Sequence, residues 1–436
     1  MSASSAPGDS SPETIRILTL NCWGLKYIAK YRYQRLSEIG RQLALADPPP
    51  EIVGLQECWT QQDYESIRQQ TRHLLPYGKF YFGGIWGAGL AILSKWPIEE
   101  SSMHAYPLNG RPTAFFRGDW YVGKGVACAR IRFGAHPVHD VAEVFCTHLH
   151  APYEKEPNDS YICHRTAQAW EIAKLMRGAA DRGHLVIGLG DFNMLPSVIH
   201  PDSSVGAAID PVEKKRNRPV PSAEFNLRVN GATCDGRFNT WRWEKAERKR
   251  LARGEDVTVD PDAPCPRGKR LDYIFVGPSR WAVDDVRIAM TQRHPTLKCS
   301  LSDHFAVEAV ISRPLTSTES ADVVERGAGL GPETYDRILD MIHSYVRRER
   351  SQRRWRLTHF LLSVVVSIGC LVGVWWTGDH LPYVAFILML VSTLGFGAGI
   401  LDGLIGGLFV SSELRALKEF EWEVRNAKQV VERAQQ

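Results

Sequence analysis

Six short phrases in the sequence carry side chains suited to acid, base and metal chemistry. Ser302-Asp303-His304 sets a carboxylate directly before an imidazole, at the mouth of the apolar run Phe305 to Ile311. Asn21, Gln56-Glu57, Thr147-His148 and Gly190-Asp191-Phe192-Asn193 each close a short apolar run, and Asp272 lies in Arg270-Leu271-Asp272-Tyr273. Cleaving a phosphodiester near neutral pH needs a divalent cation against the phosphate charge and a base to activate water. It also needs donors for the transition state and a proton for the leaving oxygen. Glu57 is a hard oxygen ligand of the kind Mg2+ takes. Asn21 and Asn193 can orient phosphate oxygens or water, Asp191 can hold the attacking water, and His148 can donate to the phosphate. His304 is the candidate base. Asp303 stands beside it, and Asp272 could fix its tautomer through the other ring nitrogen. Each residue alone is a common cap or core group, so the argument rests on the ordered set, which points to one metal-dependent phosphodiester-cleaving site.

The elements that must position them are short apolar runs bounded by Gly and Pro signals. Strands are expected over 15–20, 52–55, 77–82, 89–93, 126–133, 141–147, 184–189, 270–276 and 305–311, with helices over 33–45, 63–74 and 159–177. Many strands with few helices suggest an α/β domain over residues 13–313, a sandwich of two sheets with helices outside. Residues 1–12 read as a disordered tail. Residues 201–268 are basic and proline-rich and are expected to be surface loops, partly disordered.

Beyond residue 313 the composition changes. Residues 314–357 read as a linker followed by a basic juxtamembrane helix, and 358–376 and 381–401 are apolar runs without a charge. Each is about long enough to cross ~30 Å of hydrocarbon. The cluster Arg347, Arg348, Arg350, Arg353, Arg354 and Arg356 precedes the first run, so the positive-inside rule places the N-terminal domain in the cytosol. A hairpin returns the charged helix over 402–436 to the same side. The arginines are also candidates for binding anionic lipid. Glycines in and after the second run permit close helix packing and a homodimer through the hairpin. A net charge of +4 is too small to suggest a nucleic-acid partner. Nine scattered cysteines without a Cys-x-x-Cys pair argue against a zinc module and a full disulfide framework.

The phrases LNCWG (20–24), LQECW (55–59), THLH (147–150), GLGDFN (188–193), RLDYIF (270–275) and LSDHFAV (301–307) together resemble the endonuclease/exonuclease/phosphatase superfamily. The resemblance implies a four-layer α/β sandwich. It implies Glu57, with Asn21 and Asp303, at the metal, His148 on the phosphate, Asp191 with Asn193 on water and the transition state, and His304 as general base assisted by Asp272. Residues 21–36, GDWYVGKGV (118–126) and 147–170, joined to two C-terminal spans, resemble the membrane-bound neutral sphingomyelinases. TCDGRFNTWRW (233–243) resembles their fungal branch, the inositol phosphosphingolipid phospholipases C. This implies Mg2+-dependent cleavage of phosphosphingolipids in the bilayer, an anionic phospholipid activator, and an endoplasmic reticulum or mitochondrial membrane. It also implies a switch pair of Asp119 and Lys124, with Lys124 reaching the phosphate. Phe115, Phe116, Trp120 and Tyr121 are candidates for an apolar lip. A nuclease or inositol-polyphosphate phosphatase on the same scaffold is the alternative. A membrane scaffold with an inactive domain is the third, and the full ligand set speaks against it.

Overall fold

The computed structural model describes residues 11–154, 160–195, 220–255, 257–277, 279–313, 330–377 and 380–435. The expected tail and the expected linker before residue 330 fall almost wholly outside them. The chain packs as two units, one of residues 1–106, 122–155 and 168–320, the other of 107–121, 156–167 and 321–436.

The first unit is built on two sheets. One has the order β10-β11-β1-β2-β4-β3, from β1 (Thr14–Asn21), β2 (Ile52–Gln56), β3 (Tyr77–Tyr81), β4 (Leu90–Ser94), β10 (Ala282–Ala289) and β11 (Ala306–Ser312). The other has the order β5-β6-β7-β8-β9, from β5 (Ile98–Ala105), β6 (Gly125–Arg132), β7 (Val141–His148), β8 (Leu185–Asp191) and β9 (Asp272–Val276). Alternation of side chains along each strand gives each sheet two apolar faces. Ile15, Ile17, Ile52 and Ile92 of the first sheet meet Ala127, Val144, Ile187 and Leu189 of the second in the central core. Each of these Val, Leu and Ile side chains contributes about 1.5–3 kcal/mol on burial.

Outside the first sheet, Leu18, Leu20, Val53 and Leu55 pack against Leu36, Ile39 and Leu43 of α1 (Arg32–Ala44) and Ile67 of α2 (Gln61–Thr71). Thr60 and Asp63 close a capping box at the start of α2. Outside the second sheet, Val126, Phe145 and Val186 pack against Ile172 and Ala179 of the long helix Ile162–Asp181. The order helix, sheet, sheet, helix is the expected four-layer α/β sandwich. Two findings differ from expectation. The basic stretch near 242–253 holds a helix, Lys245–Ala252, started by a Glu244/Glu247 capping box rather than a loop. Strands β5 and β10 carry polar sequences, because both lie at sheet edges with much of their surface in solvent.

In the second unit, the expected juxtamembrane helix and first apolar run form one continuous helix, Pro332–Val374. A second helix, Pro382–Leu404, leads through a π-turn at Ile405–Phe409 into the helix Val410–Ala434. Both apolar windows, of mean hydropathy 2.2 and 2.3, are long and apolar enough to cross a membrane, and only 11% of each is buried. That exposure is unlike a core helix of a soluble domain. The two helices pack closely. Ser367 and Ser392 share a hydrogen bond of 2.6 Å, and a side chain at Gly399 would overlap Ser363. His359 Nδ1 meets Asp402 Oδ2 at 2.7 Å. Of the glycines in and after the second apolar run, Gly399, Gly403 and Gly406 serve this packing, whereas Gly395 and Gly397 meet no described atom within 4 Å.

Candidate active site

Strand parity aims the chemistry into the gap between the sheets. On β1 the odd residues Ile15 and Ile17 face the central core, so Asn21 faces the same way at the strand end. On β8 the same count carries Leu185, Ile187 and Leu189 to Asp191. On β7 it carries Ala142, Val144 and Cys146 to His148, and on β9 Ile274 and Val276 share a face with Asp272. Register brings these ends level, pairing Asn21 with Gln56, His148 with Asp191, and Asp191 with Asp272. The parallel strands contribute their C-terminal ends, and the antiparallel β9 and β11 contribute their N-terminal ends.

Asn21 ties the sheets together. Its Nδ2 donates to Glu57 Oε1 at 3.1 Å and to Asp191 Oδ2 at 3.0 Å. Glu57 follows β2 with φ 52°, in the left-handed region, and Asn193 has φ 49°. Such a conformation in a residue with a Cβ is held by its surroundings. Asp191 Oδ1 accepts from the Asn193 backbone N–H at 2.9 Å, and Asn193 Nδ2 donates to the Leu149 carbonyl at 3.1 Å. Gly190 precedes them because a Cβ there would overlap the Thr147 carbonyl on the neighbouring strand.

His304 Nδ1 lies 2.7 Å from Asp272 Oδ2, and its Nε2 lies 3.9 Å from Asp191 Oδ2. His148 Nε2 approaches the same carboxylate at 3.6 Å. Ser302 Oγ donates to the Asn21 carbonyl at 2.6 Å and accepts from the His304 backbone N–H at 3.2 Å. Asp303 is half-buried on this loop. The buried Lys124 donates from Nζ to the carbonyls of His148 at 3.2 Å and Leu149 at 3.1 Å.

Burial and crowded carboxylates set the protonation. Burial raises the Glu57 carboxyl, and the Asp303 charge adds to this against the Asn21 hydrogen bond. Burial, then Asp272, pushes Asp191 up to about 7. Burial lowers His304, but Asp272, Cys234 and Asp191 outweigh it and hold the imidazole well above its ordinary value. Burial, then Lys124 and His304, keeps His148 well below its own. Two donor sets could hold a cation. Asp191, Asp272 and His304 each offer a ligand atom within 4.8 Å of the others. Glu57 offers a buried Oε2 without a hydrogen-bond partner among the described residues.

Sequence reasoning missed the supports of this loop. Arg35 is fully buried and donates to the carbonyls of Lys30 at 2.8 Å, Cys22 at 3.2 Å, Trp23 at 2.8 Å and Leu301 at 2.7 Å. It lies 4.6 Å from the Trp23 ring centroid and 5.7 Å from that of Trp241. The phrase 233–243, first seen as a branch marker, braces the other side. The Thr233 carbonyl accepts from Phe305 at 2.8 Å, Asn239 Nδ2 donates to the Ser302 carbonyl at 3.0 Å, and Trp241 Nε1 donates to that of Ser300 at 2.9 Å. An arginine beside the apolar stripe of α1 was the available signal.

The remaining expected residues lie in the second unit. Asp119 is buried at the start of the short helix Asp119–Val122. Phe115 and Phe116 are exposed, while Trp120 lies 4.6 Å from the Phe409 ring. The arginine cluster divides. Arg348 pairs with the buried Glu349 at 2.8 Å, and Arg356 pairs with Asp402 and donates to the Thr113 carbonyl at 3.2 Å. Arg347, Arg350, Arg353 and Arg354 are exposed.

Comparison with known proteins adds a family and relatives. The Endonuclease/Exonuclease/phosphatase family matches residues 18–304. A Schizosaccharomyces pombe protein named inositol phosphosphingolipids phospholipase C is 39% identical over 96% of this chain and 95% of its own length. The Saccharomyces cerevisiae protein of that name is 33% identical over 96% of this chain and 91% of its own. Sphingomyelin phosphodiesterase 2 of Rattus norvegicus is 28% identical over 94% of this chain and 91% of its own.

Proposed function

The chain belongs to the Endonuclease/Exonuclease/phosphatase family, among the inositol phosphosphingolipids phospholipases C, and on that premise we propose that it is a membrane-anchored, Mg2+-dependent phospholipase C acting on phosphosphingolipids. The observation that carries this reading is the reach of the similarity. The family match ends at residue 304, whereas the relatives match over 96% of the chain and so take in the two apolar helices as well. Neither alternative, a nuclease or an inositol-polyphosphate phosphatase, accounts for the match of these relatives across both apolar helices.

The residues fit a hard divalent cation. Glu57 presents a carboxylate oxygen without a hydrogen-bond partner among the described residues, and burial raises both Glu57 and Asp191 even with His304 beside them, so a cation there would offset their charge. Glu57 would hold the ion, with Asn21 and Asp303 alongside. His304 Nδ1 is already bonded to Asp272, so this pair is assigned to acid–base work instead. When bound, Mg2+ neutralises phosphate charge and offsets the carboxylates that keep His304 protonated.

Asp272 orients the His304 ring and leaves Nε2 facing Asp191, where water would lie. Asp191 and Asn193 orient that water, and His304 takes its proton as the water oxygen attacks phosphorus. The bond from phosphorus to the ceramide oxygen breaks, a solvent water protonates that oxygen as it leaves, the headgroup departs as its phosphate, and His304 returns the proton it took to the resulting hydroxide. His148 and Asn21 hydrogen-bond the phosphate oxygens, and the Lys124 ammonium adds positive charge beside them. Asp119 is assigned to restrain Lys124 before substrate arrives. The catalytic unit faces the cytosol of an endoplasmic reticulum or mitochondrial membrane, and the exposed arginines take anionic phospholipid as activator.

The test is ceramide release from mixed micelles of sphingomyelin or of inositol phosphoceramide, with and without Mg2+ and anionic phospholipid. Stronger Mg2+-dependent turnover of the inositol lipid is expected, with Glu57→Ala and His304→Ala inactive yet folded. Preference for sphingomyelin would keep the mechanism and overturn the headgroup. No ceramide from either lipid would overturn the function.

A further inference from the structure

Two loops at the mouth of the site are apolar and exposed to an unusual degree. Residues 22–31 follow Asn21 directly, and residues 82–89 join β3 to β4 at the same end of the sheet, where Leu90 lies opposite Tyr81 and Ala91 opposite Leu55. The second loop is anchored beside the site, since Cys58 N–H donates to the Gly89 carbonyl at 3.0 Å and Gly84 packs on the backbone of Gly123. Of the described large apolar side chains in the first unit, the four most exposed are Tyr27 at 91%, Ile85 at 72%, Ile28 at 71% and Phe82 at 68%, all from these two segments. Trp86 is exposed beside them. Neither loop contains an acidic residue, and Lys26 and Lys30 flank Tyr27 and Ile28.

We propose that these loops form a second membrane contact, in which Tyr27, Ile28, Ile85 and Trp86 enter the lipid interface around the mouth of the active site. The inference rests on the lipid substrate proposed above. A phosphodiester in a bilayer lipid lies at headgroup level, so strand ends can reach it only if the rim around them meets the interface. Aromatic and aliphatic side chains flanked by lysine suit that layer, where apolar bodies leave water and ammonium groups meet lipid phosphates. A patch this exposed on a soluble face would favour association with other copies, whereas the chain itself continues into two helices of membrane-crossing length. The hairpin keeps the enzyme at the membrane, and the rim turns its mouth toward the lipid.

The experiment uses the full chain in phosphatidylcholine–phosphatidylserine vesicles. Cys128 and Cys370, the two half-exposed native thiols, are replaced by serine. A fluorophore is placed on Ile28→Cys, Ile85→Cys or, at the opposite end of β3, Tyr77→Cys. Brominated lipids are expected to quench the labels at 28 and 85 but not at 77. Labels at 28 and 85 as water-exposed as the one at 77 would overturn the proposal. Replacing Tyr27, Ile28, Ile85 and Trp86 by serine should cut turnover of vesicle-embedded substrate by about tenfold or more. Turnover of a short-chain, water-soluble analogue should be unchanged. Equal loss on both substrates would also overturn it. Quenching at 28 and 85 in an enzyme that releases no ceramide would uphold the contact and reject the substrate.

Discussion

Arg35→Met should separate the two phrases that bracket the active site. The guanidinium makes four hydrogen bonds to backbone carbonyls, and three of those carbonyls, of Cys22, Trp23 and Leu301, belong to the segments that carry Asn21 and Ser302-Asp303-His304. Hydrogen bonds from a charged donor are worth about 1.5–3 kcal/mol each, so four represent about 6–12 kcal/mol before any cost is set against them. Burial is that cost. It brings the Arg35 pKa down to about 10, equivalent to about 3 kcal/mol. Methionine fills much of the volume but leaves the carbonyls buried and unpaired, and a net loss of about 4 kcal/mol is expected once part of the loop relaxes. For a domain of this size that lowers the melting temperature by roughly 10 °C. The effect on turnover should be larger than stability explains, because misplacing reacting groups by about 1 Å costs on the order of a hundredfold. The assay is ceramide release well below the variant's melting temperature, alongside thermal unfolding. Arg35→Lys should lie between, since one ammonium cannot span all four carbonyls. A variant with an unchanged melting temperature, or one that melts early but turns over normally while folded, would refute the reasoning.

Glutamine at Arg347, Arg350, Arg353 and Arg354 should weaken activation by anionic phospholipid more than basal hydrolysis in neutral micelles, whereas Arg348→Gln should lower the melting temperature by leaving the buried Glu349 with Arg111, at 3.5 Å, as its remaining ion-pair partner; equal loss of activity in both lipids would count against surface docking. Burial pushes the Glu413 carboxyl up to about 7, against the pull of Arg348 and Arg111. The folded state therefore keeps a proton that an unfolded glutamic acid, near 4.5, releases, and this stabilisation is full below about pH 4.5 and lost as pH rises through 7, up to about 3 kcal/mol. Glu413→Gln should flatten that part of the stability–pH curve, and an unchanged slope would show that Glu413 is ionised at neutral pH. Burial raises the Glu57 carboxyl, so its proton competes with the metal, and the Mg2+ concentration for half-maximal turnover should climb as pH falls, by up to about tenfold per pH unit for the one proton displaced. A flat dependence would place the metal elsewhere.

The four-layer sandwich was legible because its central strands are covered on both sides and read as unbroken apolar runs. Residues 52–56 and 185–191 are buried throughout. β5 and β10 were not legible, since an edge strand turns polar side chains to water and Ile98–Ala105 then looks like a loop. The helix Pro332–Val374 was read as two elements because its composition changes near residue 357, while its backbone periodicity does not. Each carboxylate, amide or imidazole at a strand end is a common cap or core group, and the phrases that meet at the site were visible only as an ordered set of six. Arg35 was not, because its partners are main-chain carbonyls, which every residue has. Thr233 and Asn239 escaped for the same reason, although their segment had been singled out for a different purpose.

Charge balance connects the geometry to the proposed cofactor. Glu57, Asp191, Asp272 and Asp303 sit with Lys124, His304 and a neutral His148. With all four carboxyls ionised and His304 protonated, the group carries a charge of about −2, in a setting where burial already lifts Glu57 and Asp191. A phosphodiester anion entering such a site would raise the charge to about −3 and be repelled. Protonating the carboxyls would relieve the repulsion but would remove the group that holds water beside His304. A divalent cation held by Glu57 would relieve it, with Asp191 left ionised to hold water and His304 able to give up its proton. Under the proposed function the base and the metal would not be separate requirements. The carboxylates that hold His304 above its ordinary value are the ones that would repel a bound phosphate, and a cation would offset both effects.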